Sequence, residues 1–258
     1  MALTLDHVVL AVDDLDAASA TMRAEGFTVM PGGVHGSGAT ENALIVFADG
    51  TYIELLAPTG KQAADGANYM PFLAHGEGWS GYALHSDNLK KEVQTLRSRG
   101  VEVNDVVKGG RVTPNGDELR WQSAFLPGSY APFYIQDETP RTLRVPETKP
   151  VTTHRNGVTG VIGMVFVVAS LEDAITRYRN LLGTLPRLDD EDAVFDLRGV
   201  ALTFTPAGDD EDKQAHLADR GDVLYQLKLR SREVRPGGIP TRKILGARID
   251  IAPRGAGG

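Results

Sequence analysis

Apolar residues in this chain switch between a period of two and a period of three to four, and the switching repeats. Leu5–Val12 is a mostly apolar, β-branched run of strand length. Asp13 or Asp14 can cap a following helix, in which Leu15, Ala18 and Met22 share one stripe. Gly26 is placed to end that helix in the left-handed region. Phe27–Met30, Asn42–Phe47 and Thr51–Leu56 read as three further strands, the last two joined at Asp49-Gly50. Between the first two of these lies a glycine-rich loop, Pro31 to Gly38, that holds His35.

The same order of signals returns. Trp79–Ser86 leads into Asp87-Asn88-Leu89, then Val93 and Leu96, then Gly100. Val161–Ala169 leads into Ser170-Leu171, then Ile175, Tyr178 and Leu182, then Gly183. Lys108–Val112 and Leu119–Phe125 flank the turn Pro114-Asn115-Gly116-Asp117. The strand ending Tyr52-Ile53-Glu54 pairs with Tyr134-Ile135-Gln136 in the second unit. A fourth unit opens at Val223–Arg230 and closes at Arg248–Pro253, with Arg235-Pro236-Gly237-Gly238 between, where a helix is disfavoured. The pattern predicts an α+β fold of repeated βαβββ units whose pairs complete each other's sheet. Residues 1–140 form the first pair and 150–258 a second, degenerate one, with Pro140–Pro150 as linker.

Composition narrows the function classes. The 258 residues suffice for a sizeable core. With no cysteine, disulfides, thiolate ligands and cysteine nucleophiles are excluded, which fits a cytoplasmic location. No apolar run reaches the length of a membrane span, and the first residues lack the pattern of a signal peptide. The net charge of −7 argues against non-specific nucleic-acid binding. Acidic residues cluster at 189–192 and 209–212 and basic ones in the last thirty residues, both read as solvated segments. No phosphate loop, dinucleotide fingerprint or nucleophile elbow occurs.

Leu5-Asp6-His7-Val8-Val9-Leu10, the Asp14-Leu15 helix start, Pro31-Gly32-Gly33-Val34-His35, Tyr52-Ile53-Glu54-Leu55, Pro114-Asn115-Gly116 and Asn156-Gly157-Val158-Thr159-Gly160 together resemble the glyoxalase-like branch of the vicinal-oxygen-chelate superfamily. The resemblance covers nearly all of the first half and the start of the second. It implies curved mixed sheets with helices outside and a metal-binding cup between paired units. It carries the family's ligand positions onto His7, Glu54 and Gln136, while Gly81, at the fourth position, cannot ligate. The implied cofactor is a divalent metal, Zn, Ni, Co, Mn or Fe, which imidazole and carboxylate or amide donors suit. The third unit has Gly163 opposite His7 and Leu202 near the Glu54 position, so the second half is expected to be metal-free.

His7 has a plain alternative as a polar strand residue, Gln136 as an amide serving the backbone, and His35 as a solvated loop histidine. Glu54 stands in an apolar strand, where an unpaired carboxylate is costly. Glu54 and His35 are the candidate proton shuttles, and Trp121, Asn42 and Tyr134 the candidate substrate contacts. Tyr82 and Phe133 would join an aromatic wall; His75, His85, His154 and His216 read as surface or loop residues. Three functions stay open. The first is a metal-dependent lyase or isomerase acting on a small oxygenated metabolite. The second is a small-molecule-binding protein like the antibiotic-sequestering relatives of the fold. The third is an extradiol-type dioxygenase. A small molecule is the expected partner in each, with a homodimer among the expectations.

Overall fold

The computed structural model describes residues 3–61, 70–127, 131–232 and 239–253. Four units can be followed along the chain. The first is β1 (Thr4–Ala11), α1 (Leu15–Ala24), β2 (Met30–Val34), β3 (Thr40–Val46) and β4 (Tyr52–Pro58). After the single turn α2 (Met70–Leu73), the second is β5 (Gly78–His85), α3 (Leu89–Ser98), β6 (Val107–Val112), β7 (Glu118–Phe125) and β8 (Phe133–Asp137). Two single-turn helices, α4 (Arg141–Arg144) and α5 (Lys149–Thr152), connect the halves. The third unit is β9 (Val158–Val168), α6 (Leu171–Leu182), β10 (Arg187–Asp189), β11 (Asp192–Leu197) and β12 (Val200–Pro206). Helix α7 (Glu211–Arg220) leads into the fourth, β13 (Leu224–Ser231), β14 (Ile239–Ile244) and β15 (Ala247–Pro253). The Arg235–Gly238 stretch lies outside the described residues.

The strand order is the signature of paired units. The first sheet runs β2-β3-β4-β1-β5-β8-β7-β6 and the second β10-β11-β12-β9-β13-β15-β14. Each unit's first strand pairs in parallel with its last, β1 with β4 and β5 with β8, while β1 and β5 join antiparallel at the centre. The first sheet curls until its edge strands meet, with a bridge between His35 and Arg111 and a hydrogen bond from the Gly36 amide to the Gly110 carbonyl at 2.8 Å. That curl makes the cup.

Local chemistry explains the helices. Asp14, Asn88 and Ser170 each accept a hydrogen bond from the amide three residues on. Gly183 ends α6 with φ +71°. The buried stripe of α6 is Ala174, Tyr178 and Leu181, one residue back from the sequence-predicted Ile175 and Leu182, which are half-buried. The strand expected at Phe27–Met30 instead begins at Met30, because Gly26 and Phe27 are held by α1 and Thr28 by His154.

The two halves share one apolar core. Val8, Leu10, Ile53, Leu55 and Tyr82 of the first sheet cluster with Met164, Phe166 and Tyr178 of the second half. The Tyr82 and Tyr178 hydroxyls bond each other across the junction. His154, in a loop, is a buried joint rather than an ordinary surface or loop residue. It accepts from the Thr28 amide at 3.0 Å, meets the Val46 carbonyl at 2.9 Å and packs edge-on against Phe47. The connector is also more than a linker, since Arg144 of α4 is buried.

Candidate active site

Strand alternation gives the cup its lining. His7 and Val9 of β1, and Tyr52, Glu54 and Leu56 of β4, point into a cavity of about 540 Å³, while Val8, Leu10, Ile53 and Leu55 join the core on the opposite face. Parallel pairing sets His7 beside Tyr52 and Val9 beside Glu54. The aromatic wall comes from the second unit: Trp121 and Phe125 of β7 and Phe133 of β8. Phe125 stacks on Phe133 at 5.4 Å, and Trp121 stands edge-on to the His35 ring at 6.1 Å.

Glu54 is the centre of the polar floor. Its Oε1 accepts from the Asn42 amide at 2.6 Å and lies 3.6 Å from His35 Nε2. Its Oε2 lies 3.3 Å from His7 Nε2. Burial alone would push this carboxyl up, but the His7 imidazole, with His35 and Asn42 behind it, draws its pKa down to about 2. Glu54 is therefore a carboxylate throughout the ordinary pH range.

The two histidines are driven apart. His7 also meets Asp6 Oδ1 through Nδ1 at 2.7 Å, and lies flat on the Tyr52 ring at 4.5 Å. Burial opposes its charge, but the hydrogen bonds to Asp6 and Glu54 prevail and raise its pKa above 6.5. His35 goes the other way: burial dominates and Arg111 adds to the depression, against the pull of Glu54. Its Nδ1 meets Thr40 Oγ1 at 2.8 Å, and Asn42 Nδ2 approaches its Nε2 at 3.4 Å. Because that Asn42 amide is a donor, it favours the tautomer with the proton on Nδ1 and an unprotonated Nε2 that accepts this long contact. The floor thus favours the proton on His7 over His35, on either side of the Glu54 carboxylate.

Behind His7 stands a network with no sequence signal. Asp6 accepts from Arg144 Nη1 at 2.9 Å and Nη2 at 3.1 Å, and from Arg141. Arg144 also bonds both Asp137 oxygens, at 2.6 and 2.7 Å, and the Tyr52 hydroxyl at 2.7 Å. Arg144 and the His7 proton hold the Asp6 carboxyl well below the usual carboxylate range against its burial. The connector therefore reaches back to brace the floor.

Glycines make room for this floor. A side chain at Gly32 would collide with Asn42 Oδ1, and one at Gly109 with the Trp121 indole nitrogen. Gly81 lines the cavity, and a side chain there would meet open space.

The structure brings His7, Glu54, His35, Asn42 and Trp121 to one cavity, and it removes two expected members. Gln136 faces away: its Oε1 accepts the Leu89 amide at 2.7 Å and caps the start of α3. Tyr134 also points to the core side, as does Tyr82. Alternation is the reason, since Phe133 and Ile135 are the inward residues of β8. The three-ligand set His7, Glu54 and Gln136 is therefore not assembled. His35 and His7 instead each direct Nε2 at a different oxygen of Glu54. Among the described residues no three His, Cys, Asp or Glu side chains are grouped to hold a metal ion. The ligand set expected from the sequence therefore lacks its third member.

Comparisons with known proteins agree with this architecture. A family model described as a glyoxalase-like domain matches residues 5–182. A hypothetical protein from Staphylococcus aureus has a similar structure, at 16% identity and a TM-score of 0.78, covering 97% of this chain and 99% of that one. A mutant of 4-hydroxymandelate synthase from Streptomyces coelicolor is similar at 10% identity and a TM-score of 0.60, covering 90% of this chain and 72% of that one. At these identities the likeness is one of fold. No curated protein matches the sequence significantly. The family match takes in both halves of the first sheet and the start of the second, and on it the chain belongs to the glyoxalase-like domain family, with a vicinal-oxygen-chelate fold.

Proposed function

We propose that the protein is an enzyme of the lyase or isomerase kind that moves a proton on a small carbonyl compound, with His35 as base. The observation that carries this reading is one carboxylate, Glu54, set between two imidazoles whose pKa values are shifted in opposite directions, at the floor of an aromatic-walled cavity. His35 Nε2 takes the proton from the carbon next to the carbonyl. The electron pair of that C–H bond moves onto the carbonyl oxygen as an enolate. Glu54, 3.6 Å away, steadies the imidazolium that His35 becomes. His7, whose pKa is raised by Asp6 and Glu54, favours negative charge developing above the floor when it is protonated. Return of the proton from Nε2 to the enolate oxygen or to a neighbouring carbon completes an isomerisation; in a lyase reaction the enolate pair instead expels a β-substituent as an anion, which takes the proton from Nε2 as it leaves. No step depends on a metal, in keeping with the incomplete donor set.

Wild-type protein incubated in D2O with a panel of phenyl-substituted ketones and 2-oxo acids tests the reading. Proton NMR should show the α-C–H signal of at least one compound disappearing faster than in buffer. Retention of a ligand with no exchange by any compound would replace this reading with that of a binding protein.

A further inference from the structure

The cavity contains a buried cation that the floor does not use. Arg111, on β6, is 5% exposed and lines the same cavity as His35 and Glu54. It shares an inward face with Gly109, over which the Trp121 indole lies. Its guanidinium gives one hydrogen bond, to the Gly32 carbonyl. No carboxylate lies within ion-pair distance of it among the described residues. Every other buried cation of the floor is paired: His7 with Asp6 and Glu54, Arg144 with Asp6 and Asp137. A guanidinium presents five donors in a planar fork, and leaving most of them without an anion in a buried place is costly. Burial accordingly pushes its pKa down.

We infer that Arg111 is the receptor for a carboxylate of the ligand, so that the compounds this cavity takes are small, flat, aryl-bearing carboxylic acids. Arg111 and His35 are bridge partners where the sheet edges meet, so an anion on Arg111 places its neighbouring carbons beside the imidazole. Trp121, Phe125 and Phe133 give an apolar face for the ring. The volume of about 540 Å³ suits one aryl acid. A bidentate guanidinium–carboxylate pair discriminates strongly, because a neutral isostere leaves the buried charge unanswered. This inference rests on the first-half cavity being the ligand site, and it deepens the proposed function by naming the substrate class.

Titration calorimetry with phenylacetate and phenylacetamide tests it without any turnover. The acid should bind wild-type protein at least about tenfold more tightly than the amide. Arg111→Gln should abolish that preference, and Arg111→Lys should keep part of it. Equal affinity of acid and amide for wild-type protein overturns the inference, and needs no variant to fold. So does an unchanged preference in a folded Arg111→Gln protein. Acid preference without deuterium exchange would leave the receptor standing and remove the base. Exchange on neutral ketones with no acid preference would do the reverse.

Discussion

Asp6 and His7 are neighbours on one strand, yet their side chains meet at 2.7 Å. Regular alternation would send them to opposite faces. The pairing of β1 with β5 slips between Leu5 and His7, so Asp6 is the extra residue of a β-bulge. The bulge turns a buried carboxylate onto the imidazole and opens it to Arg144 on its other side. A second slip, between Val9 and Leu10, leaves Ser80 as the extra residue beside Gly81 at the cavity wall.

The brace behind His7 should be essential to the fold. Arg144→Ala removes the buried cation between Asp6 and Asp137 and leaves them only the more exposed Arg141, with His7 beside Asp6. Breaking a buried pair in this way costs about 3–5 kcal/mol. Urea denaturation should show a loss of that order. A change within about 0.5 kcal/mol would mean that the network contributes little.

Gly32 should be required for the shape of the floor. Gly32→Ala meets Asn42 Oδ1 and displaces the amide from Glu54. The Asn42→Ala protein loses the same hydrogen bond by deletion. Both variants should stay folded by circular dichroism and lose about tenfold in exchange rate, since a hydrogen bond to a charged group is worth about 1.5–3 kcal/mol. Wild-type rates in both would show that Asn42 does not position Glu54.

Activity should depend on pH from both sides. His35 works as the free base, and its pKa lies below 6.5, so the acid limb of kcat/KM falls below that value. His7 works as the cation, and its pKa lies above 6.5, so the basic limb falls above it. Stability follows the same signs. The His7 contribution is fully present below pH 6.5 and is lost as pH rises through its raised pKa. The Glu54 contribution is present above pH 4.5 and is lost as pH falls toward about 2. A rate that climbs steadily through pH 6.5 toward the alkaline side would contradict the assignment.

Chelation should leave the exchange reaction intact. The cup's donors His7, His35 and Glu54 all come from the first unit, and its second-unit positions hold Gly81, Phe133 and Ile135. EDTA treatment followed by elemental analysis and rate measurement should show metal-free, active protein. Loss of activity restored by a stoichiometric divalent ion would show that substrate oxygens complete a site these residues begin.

The repeated fold was legible because its signals are local: caps at Asp14, Asn88 and Ser170, glycines at helix ends, and strands of alternating period. Glu54, Asn42 and Trp121 were legible as cavity candidates because their strands alternate in the ordinary way, His7 because alternation resumes after the bulge, and His35 because it stands in a glycine-rich loop. Gln136 was not placed correctly because the likeness of Tyr134-Ile135-Gln136 to Tyr52-Ile53-Glu54 is one of sequence, while β8 presents Phe133 and Ile135 to the cup. Asp6 was hidden by a bulge that no periodicity records. Arg144 was hidden in a proline-rich connector, and its partners lie up to 138 residues away in sequence. Arg111 gave no sign because its meaning is the lack of a carboxylate partner among the described residues, which appears only once the sheet has curled.

The charge arrangement of the floor can be read directly from the histidine ring nitrogens. Long-range ¹H–¹⁵N NMR spectra at pH 7, assigned with His7→Gln and His35→Gln proteins, should show His7 as an imidazolium and His35 as a neutral ring protonated on Nδ1. A neutral His7 beside a charged His35 would contradict the account, because the proposed base would already hold its proton.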